Sequence, residues 1–370
     1  MGKRDVRKDR IRKKDVAKRV ALLGIILYVF LLSIQLMSGS FKMFGRGFAE
    51  SIIPFTTNPL VGLFIGILAT SIVQSSSVTT SIIVGLAASG ALTITNAIPI
   101  IMGANIGTSI TSLMVSLAHI TRKEEFRKAF EVATVHDFFN FIVVLVLLPL
   151  EVYFHILEKV ALFMTQFFVG SNMHLQFTSP LSYIIKPVAS FIQVSLLNNA
   201  IVVLIVSLIL LFFSLKYFVD IIKPLAESKF KVLLEEHVFK TPLRSFSFGL
   251  ILTIVVQSSS VTTSLLVPLA AVGILTLERL FPFVLGANVG TTFTALLASL
   301  VTGSPAGIAV AFVHILFNTF GAAIVYPFRK IPLGLSKWIA HLSFRYRVVP
   351  FVYVASAFYI LPSFVIFVLH

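Results

Sequence analysis

The residues best suited to chemistry stand in two copies. Val73-Gln-Ser-Ser-Ser-Val-Thr-Thr-Ser81 returns as Val256-Gln-Ser-Ser-Ser-Val-Thr-Thr-Ser264, so nine consecutive residues coincide and Gln257 follows Gln74 by 183 residues. Each block offers hydroxyls, one primary amide and the carbonyls around them. Neutral oxygens of this kind are poor ligands for transition metals and good ones for hard cations. No base is spaced to activate the serines and no G-x-S-x-G elbow is present, so an enzyme is not expected. The chain has no cysteine, which removes disulfides, thiolate metal sites and cysteine nucleophiles.

The duplication extends beyond the serines. Pro99 matches Pro282 and Gly103-Ala-Asn-Ile-Gly-Thr108 matches Gly286-Ala-Asn-Val-Gly-Thr291 at the same offset, while His136-Asp-Phe-Phe-Asn140 matches His314-Ile-Leu-Phe-Asn318 at 178. Asn105 and Asn288 lie in apolar surroundings, where two amide donors and a carbonyl each require partners. They join the candidate site, as do Thr79, Thr262, Thr108 and Thr291, which recur at the 183-residue offset. His136 and His314 are better read as buried, hydrogen-bonded structural residues than as a proton relay. Asp137 faces Ile315 in the alignment of the halves, which places it outside a symmetric core, and Glu131 is expected to pair with Lys128.

The elements that carry these residues must be membrane helices. Of 370 residues 57% are hydrophobic and only 12% charged, and the mean hydropathy is +0.98. Soluble domains carry roughly 25% charged residues. Residues 20–38, 201–215 and 350–369 approach or reach the roughly 20 apolar residues that cross a bilayer as a helix. The net charge of +15 suggests nucleic acid at first sight, but the basic residues sit in the N-terminal segment and in short loops. That is a positive-inside pattern, and no nucleic-acid partner is expected. Residues 1–19 hold ten Lys or Arg and read as a cytoplasmic tail instead of a signal peptide.

Each Gln-Ser-Ser-Ser lies between two apolar arms too short to span, such as residues 60–73 and 78–90, which suits a hairpin that enters and returns on one side. Its tip would leave helix-end N–H and C=O groups at membrane depth, as in the broken helices of secondary transporters. Basic residues change sides between the halves. The connector with Arg122, Lys123, Arg127 and Lys128 corresponds to residues 302–307, which hold none, and the lightly charged 41–60 corresponds to 220–244 with five Lys or Arg. Inverted repeats explain the swap. The expected architecture is an all-α integral membrane protein: a tail 1–19, repeat 1 over 20–170 with its tip at Gln74, repeat 2 over 171–348 with its tip at Gln257, and a last transmembrane helix 349–370. Residues 151–170 must then lie along the interface, with the N-terminus cytoplasmic and the protein multi-pass in the cell membrane.

Residues 59–118 contain no charged side chain, nor do 245–277 or 280–328. A multivalent anion held at the midplane without Arg or Lys is prohibitively costly unless mobile cations arrive with it, which points to sodium symport. The paired Gln-Ser-Ser-Ser motifs with Gly-Ala-Asn-x-Gly-Thr resemble the type II sodium-phosphate cotransporter family over about residues 20–330. The resemblance implies sodium-driven uptake of inorganic phosphate, with Gln74, Ser75, Ser76, Ser77, Gln257, Ser258, Ser259 and Ser260 contributing to the site. The serines, with Asn105 and Asn288, are the expected phosphate ligands. Gln74, Gln257 and the four threonines are the expected sodium ligands. Residues 90–96 lack the acidic residue of electrogenic animal members, and the large extracellular loop of those members has no counterpart, as in a compact prokaryotic form. A symporter of another anion, such as a dicarboxylate or sulfate, is the main rival; an anion channel is less favoured, because no carbonyl filter or charged ring is present.

Overall fold

A computed structural model describes residues 3–169, 180–236, 238–273 and 275–369. Among these, helix is the only regular secondary structure, with no strand. Helix α1 (Lys3–Phe44) leads through α2 (Arg46–Thr56) to a hairpin of α3 (Pro59–Val73) and α4 (Ser76–Ser89). An interrupted rod of α5 (Ile94–Gly107) and α6 (Ile110–Leu117) follows, then α7 (Lys123–Phe154) and α8 (Ile156–Val169). After α9 (Pro180–Ser190) and a π-helical turn Phe191–Leu197, the order recurs. It comprises α10 (Ala200–Glu236), a hairpin of α11 (Pro242–Val256) with α12 (Ser259–Ser264) and α13 (Leu266–Ala271), then α14 (Leu277–Thr302), α15 (Pro305–Val325) and α16 (Lys330–Arg345). The chain closes with α17 (Val349–Ala355), a π-helical turn Ser356–Ile360 and α18 (Leu361–Leu369).

Seven helical stretches among the described residues are long and apolar enough to cross a bilayer: Ala21–Phe44, Ile94–Leu117, Lys123–Phe154, Ala200–Tyr217, Leu277–Thr302, Pro305–Val325 and Val349–Leu369. The hairpin arms α3, α4 and α11 have 15, 14 and 15 residues and fall short, as does α8 with 14. From Lys3 onward the basic segment is helical and continuous with α1, ahead of the apolar stretch that begins at Ala21. The boundary expected at 170/171 lies outside the described residues. The second arm of the second hairpin divides after Ser264 because Pro268 has no N–H to give to the Ser264 carbonyl four residues back. Gly85 stands at the equivalent place in α4, which runs unbroken.

The Gly-Ala-Asn-x-Gly-Thr glycines explain how each hairpin is held. A Cβ on Gly103 would lie 1.9 Å from the Leu63 carbonyl oxygen, and one on Gly286 would lie 2.0 Å from that of Phe246. Gly66 and Gly249 make the reciprocal approaches, at 2.1 Å from Ile100 O and 2.3 Å from Phe283 O. Helices α3 and α5, like α11 and α14, therefore meet backbone to backbone, the close packing that membrane helices obtain from small residues.

The halves also exchange elements. Helix α8 packs on α15 and α16 on α7, while α4 lies against α14 and α15 and α13 against α7. At the mouth of the second hairpin, Gly273 lies beside Lys128 near the start of α7. At the mouth of the first, the Thr95 hydroxyl donates to Glu158 at 2.9 Å, just beyond the end of α7. Helix α7 has 32 residues, about 48 Å at 1.5 Å per residue, so the two hairpins open at opposite ends of a membrane-length helix. Glu131 forms its ion pair with Arg127 at 2.9 Å, one turn away, and not with Lys128 as its spacing suggested.

Candidate functional site

Each hairpin turns through one residue in the left-handed region and one extended residue. Gln74 has φ 58° and ψ 25°, and Gln257 has φ 58° and ψ 23°. Both donate their backbone N–H back into the first arm, to Thr70 O and Thr253 O, each at 2.7 Å. Ser75 and Ser258 then cap the second arms, their hydroxyls accepting from the N–H groups of Val78 and Val261 at 3.3 Å. The second residue of each Gln-Ser-Ser-Ser is thus an N-cap, which is why the motif breaks the helix where it does.

The hairpins are tied internally by matching threonines. Thr70 donates to Thr79 at 3.0 Å, and Thr253 pairs with Thr262 at 2.8 Å. Thr79 and Thr262 in turn donate to the Ser75 and Ser258 carbonyls at 3.2 Å. These threonine hydroxyls rigidify the turns, and neither Thr70 nor Thr253 was singled out from the sequence although both recur at the 183-residue offset.

The two tips meet across the repeat interface. Ser77 donates to the Gln257 carbonyl at 3.1 Å, and Ser260 donates to the Thr108 carbonyl at 3.3 Å. Ser112 on α6 pairs with Thr263 on α12 at 3.0 Å. Ser76, Ser77, Ser259, Ser260, Thr108 and Thr291 are all buried. Among the described residues the Ser259 and Thr291 hydroxyls are buried without a hydrogen-bond partner, as are those of Ser81 and Ser264 at equivalent places on the second arms. Unsatisfied buried hydroxyls are costly, so each of these four calls for a partner that the described residues do not supply. The first turns of α4 and α12 add N–H groups without intrahelical acceptors.

Asn105 and Asn288 lie behind the tips in a buried knot that joins the halves. The Asn288 amide donates to Asn140 at 3.0 Å and Asn318 at 2.6 Å, and its carbonyl pairs with His136 Nε2 at 3.1 Å. Asn105 accepts from Asn318 at 3.1 Å, pairs with His314 Nε2 at 3.3 Å and donates to Ile101 O at 2.8 Å. Each histidine therefore reaches the asparagine of the other repeat, the structural role expected for them. The side-chain amides of Asn105 and Asn288 are engaged by partners inside the protein. Asn140 and Asn318, visible in the sequence only as part of the His-x-x-x-Asn match, are full members of this knot. Asp137 is buried outside it, accepting from Tyr353 of α17 at 3.1 Å.

Comparison with known proteins follows the same division into halves. Residues 29–174 and 210–342 match the family model described as Na+/Pi-cotransporter. The chain is 32% identical to sodium-dependent phosphate transport protein 2B of Homo sapiens, over 94% of this chain and 65% of that protein. It is 31% identical to sodium-dependent phosphate transport protein 2A of Ovis aries and 32% identical to that of Rattus norvegicus, in both cases over 94% of this chain and 67% of the relative. The chain thus spans about two thirds of the length of these curated relatives. No solved structure matches it.

Proposed function

Because the chain belongs to the Na+/Pi-cotransporter family, we propose that it is a secondary active transporter that carries inorganic phosphate with sodium across the cell membrane. The observation that carries this reading is the junction of the two Gln-Ser-Ser-Ser turns, where Ser77 and Ser260 cross between repeats and the Ser259 and Thr291 hydroxyls lack partners. Serine hydroxyls and first-turn N–H groups of α4 and α12 suit phosphate oxygens. Carbonyls freed at the ends of α3 and α11, with the amide of Gln74 and the hydroxyls of Thr108 and Thr291, suit sodium. With no Arg or Lys within residues 59–118, 245–277 or 280–328, sodium supplies the positive charge that makes a dehydrated phosphate tolerable. Asn105 and Asn288 act behind this site, keeping the repeats in register.

The reading includes inverted repeats with re-entrant hairpins, and two observations support it. The hairpin mouths lie at opposite ends of α7. Three of the seven membrane-length stretches, Ile94–Leu117, Lys123–Phe154 and Ala200–Tyr217, separate the first hairpin from the second. An odd number of crossings reverses the second repeat. With the N-terminus cytoplasmic, the loops around Lys123, Lys240 and Arg329 all fall on the cytoplasmic side, as positive-inside orientation requires. Competition for uptake by the purified protein in liposomes tests the solute: unlabelled phosphate and arsenate should suppress labelled phosphate uptake, whereas sulfate and succinate should not. Suppression by succinate equal to that by phosphate would assign the site to dicarboxylates.

A further inference from the structure

The two turns have the same sequence and the same backbone, yet their glutamines differ. The Gln257 side chain is folded into the protein: its Nε2 donates to the Ile254 carbonyl of its own hairpin arm and its Oε1 accepts from Thr294 at 2.8 Å. Only 7% of Gln257 is exposed. Gln74, in the equivalent place, is exposed, and among the described residues its side chain has no hydrogen-bond partner. The partners that would hold it are present by symmetry. Ser71 corresponds to Ile254 and Thr111 to Thr294, each at 183 residues. Thr111 instead donates to the Gln74 backbone carbonyl at 3.5 Å. The Ser71 carbonyl is taken by another donor, the hydroxyl of Tyr359, at 3.3 Å.

Tyr359 belongs to neither repeat. It sits in the π-helical turn Ser356–Ile360 between α17 and α18, and this turn and α18 both pack against α3. A π-helical turn shifts the side chains of a helix in register and is often found where a helix serves function. Here it brings a phenol to one of the helix-end carbonyls of α3 that have no intrahelical partner. Among the described residues no phenol reaches the Ile254 carbonyl, and there the glutamine's own amide does the same work. The matched family region ends at residue 342, before this helix begins.

We propose that Tyr359 is a positioning residue that holds the Gln74 amide free, by occupying the Ser71 carbonyl that this glutamine would otherwise cap. The two sites of a near-symmetric pair are thereby made unequal, with Gln257 locked and Gln74 available to the solute or to sodium. A free amide at membrane depth is tolerable only against water or a polar ligand, which places the first turn, and not the second, on the open side of the site. Release of Ser71 by Tyr359 and its capture by Gln74, with Thr111 turning to the amide oxygen, would give the first turn the geometry the second now has. The inference rests on the transport reading for its consequence, but the contact itself does not.

The test is a pair of double-mutant cycles on the full chain in nanodiscs, crossing Tyr359→Phe with Gln74→Ala and with Gln257→Ala. Sodium-dependent binding of inorganic phosphate and the melting temperature without phosphate or sodium are both measured. Tyr359→Phe should weaken binding roughly threefold to tenfold, the worth of one neutral hydrogen bond. It should add nothing in the Gln74→Ala background and keep its full effect in the Gln257→Ala background. In melting, Tyr359→Phe should cost little alone because Gln74 takes over the carbonyl, and about 2 °C more when Gln74 is Ala. Effects of Tyr359→Phe that are equal in the two backgrounds would overturn the proposal, as would melting coupling without any change in binding. A wild-type protein that binds no phosphate in sodium would refute the transport reading, while the melting cycle would still decide whether Tyr359 and Gln74 compete for Ser71.

Discussion

Asn288→Ala separates two roles that the sequence alone leaves merged, since an asparagine in an apolar helix suits either a ligand shell or a structural knot. The side chain makes three bonds, to Asn140 at 3.0 Å, Asn318 at 2.6 Å and His136 at 3.1 Å, and Asn288 is 1% exposed. Truncation strips partners from two amide carbonyls and one imidazole nitrogen in a place with no access to bulk water. At about 1 kcal/mol or more for each orphaned buried group, the loss is at least about 3 kcal/mol. That corresponds to a melting temperature lower by about 6 °C or more. Asn318→Ala removes one of the same bonds and also the contact to Asn105, so the double variant should fall short of the sum of the singles. Thermal unfolding of the purified, detergent-solubilised protein reads both effects, and phosphate affinity of the surviving folded fraction should stay near that of the wild type. An Asn288→Ala protein that melts normally but binds phosphate tenfold more weakly would refute the structural assignment and return the residue to the ligand shell.

Ser259→Ala should weaken phosphate or sodium binding by roughly tenfold without lowering the melting temperature, because its hydroxyl has no protein partner to lose; Ser76→Ala, at the equivalent place, should weaken binding in the same range. Gly286→Ala places a methyl 2.0 Å from the Phe246 carbonyl and should cost about 1 to 3 kcal/mol or more in thermal unfolding, whereas Gly334→Ala, where a Cβ meets nothing within 4 Å, should not. Single cysteines replacing Lys123 and Ser304 in this cysteine-free chain should react with an impermeant reagent from opposite faces of the membrane; reaction from the same face would make the repeats parallel.

Much of this organisation can be read in the residues themselves. The nine-residue duplication locates both turns, and the short arms around them already require hairpins, because arm length is a property of sequence. The swap of basic residues between equivalent loops agrees with hairpin mouths at opposite ends of α7. What periodicity and composition do not carry is who touches whom across the repeats. Asn105 and Asn288 are conspicuous as polar residues among apolar ones, but only the crossing of α5, α7, α14 and α15 shows that His314 and His136 meet them. The glycines beside them serve packing, since a Cβ on Gly103 would lie 1.9 Å from Leu63 O. The unequal glutamines are beyond any reading of the motif, since both copies are identical over nine residues and the difference comes from Tyr359, 285 positions after Gln74. Glu131 shows the limit of local spacing: Arg127 and Lys128 are both within helical reach, and side-chain direction selects Arg127.

In the proposed mode of transport, sodium supplies the charge that the spans lack. Phosphate uptake into proteoliposomes, driven by an inward sodium gradient and compared with an equal potassium gradient, tests it most directly. Labelled phosphate should accumulate above equilibrium with sodium, be lost when the gradient is dissipated, and enter little with potassium. Equal phosphate uptake under the two gradients would contradict it.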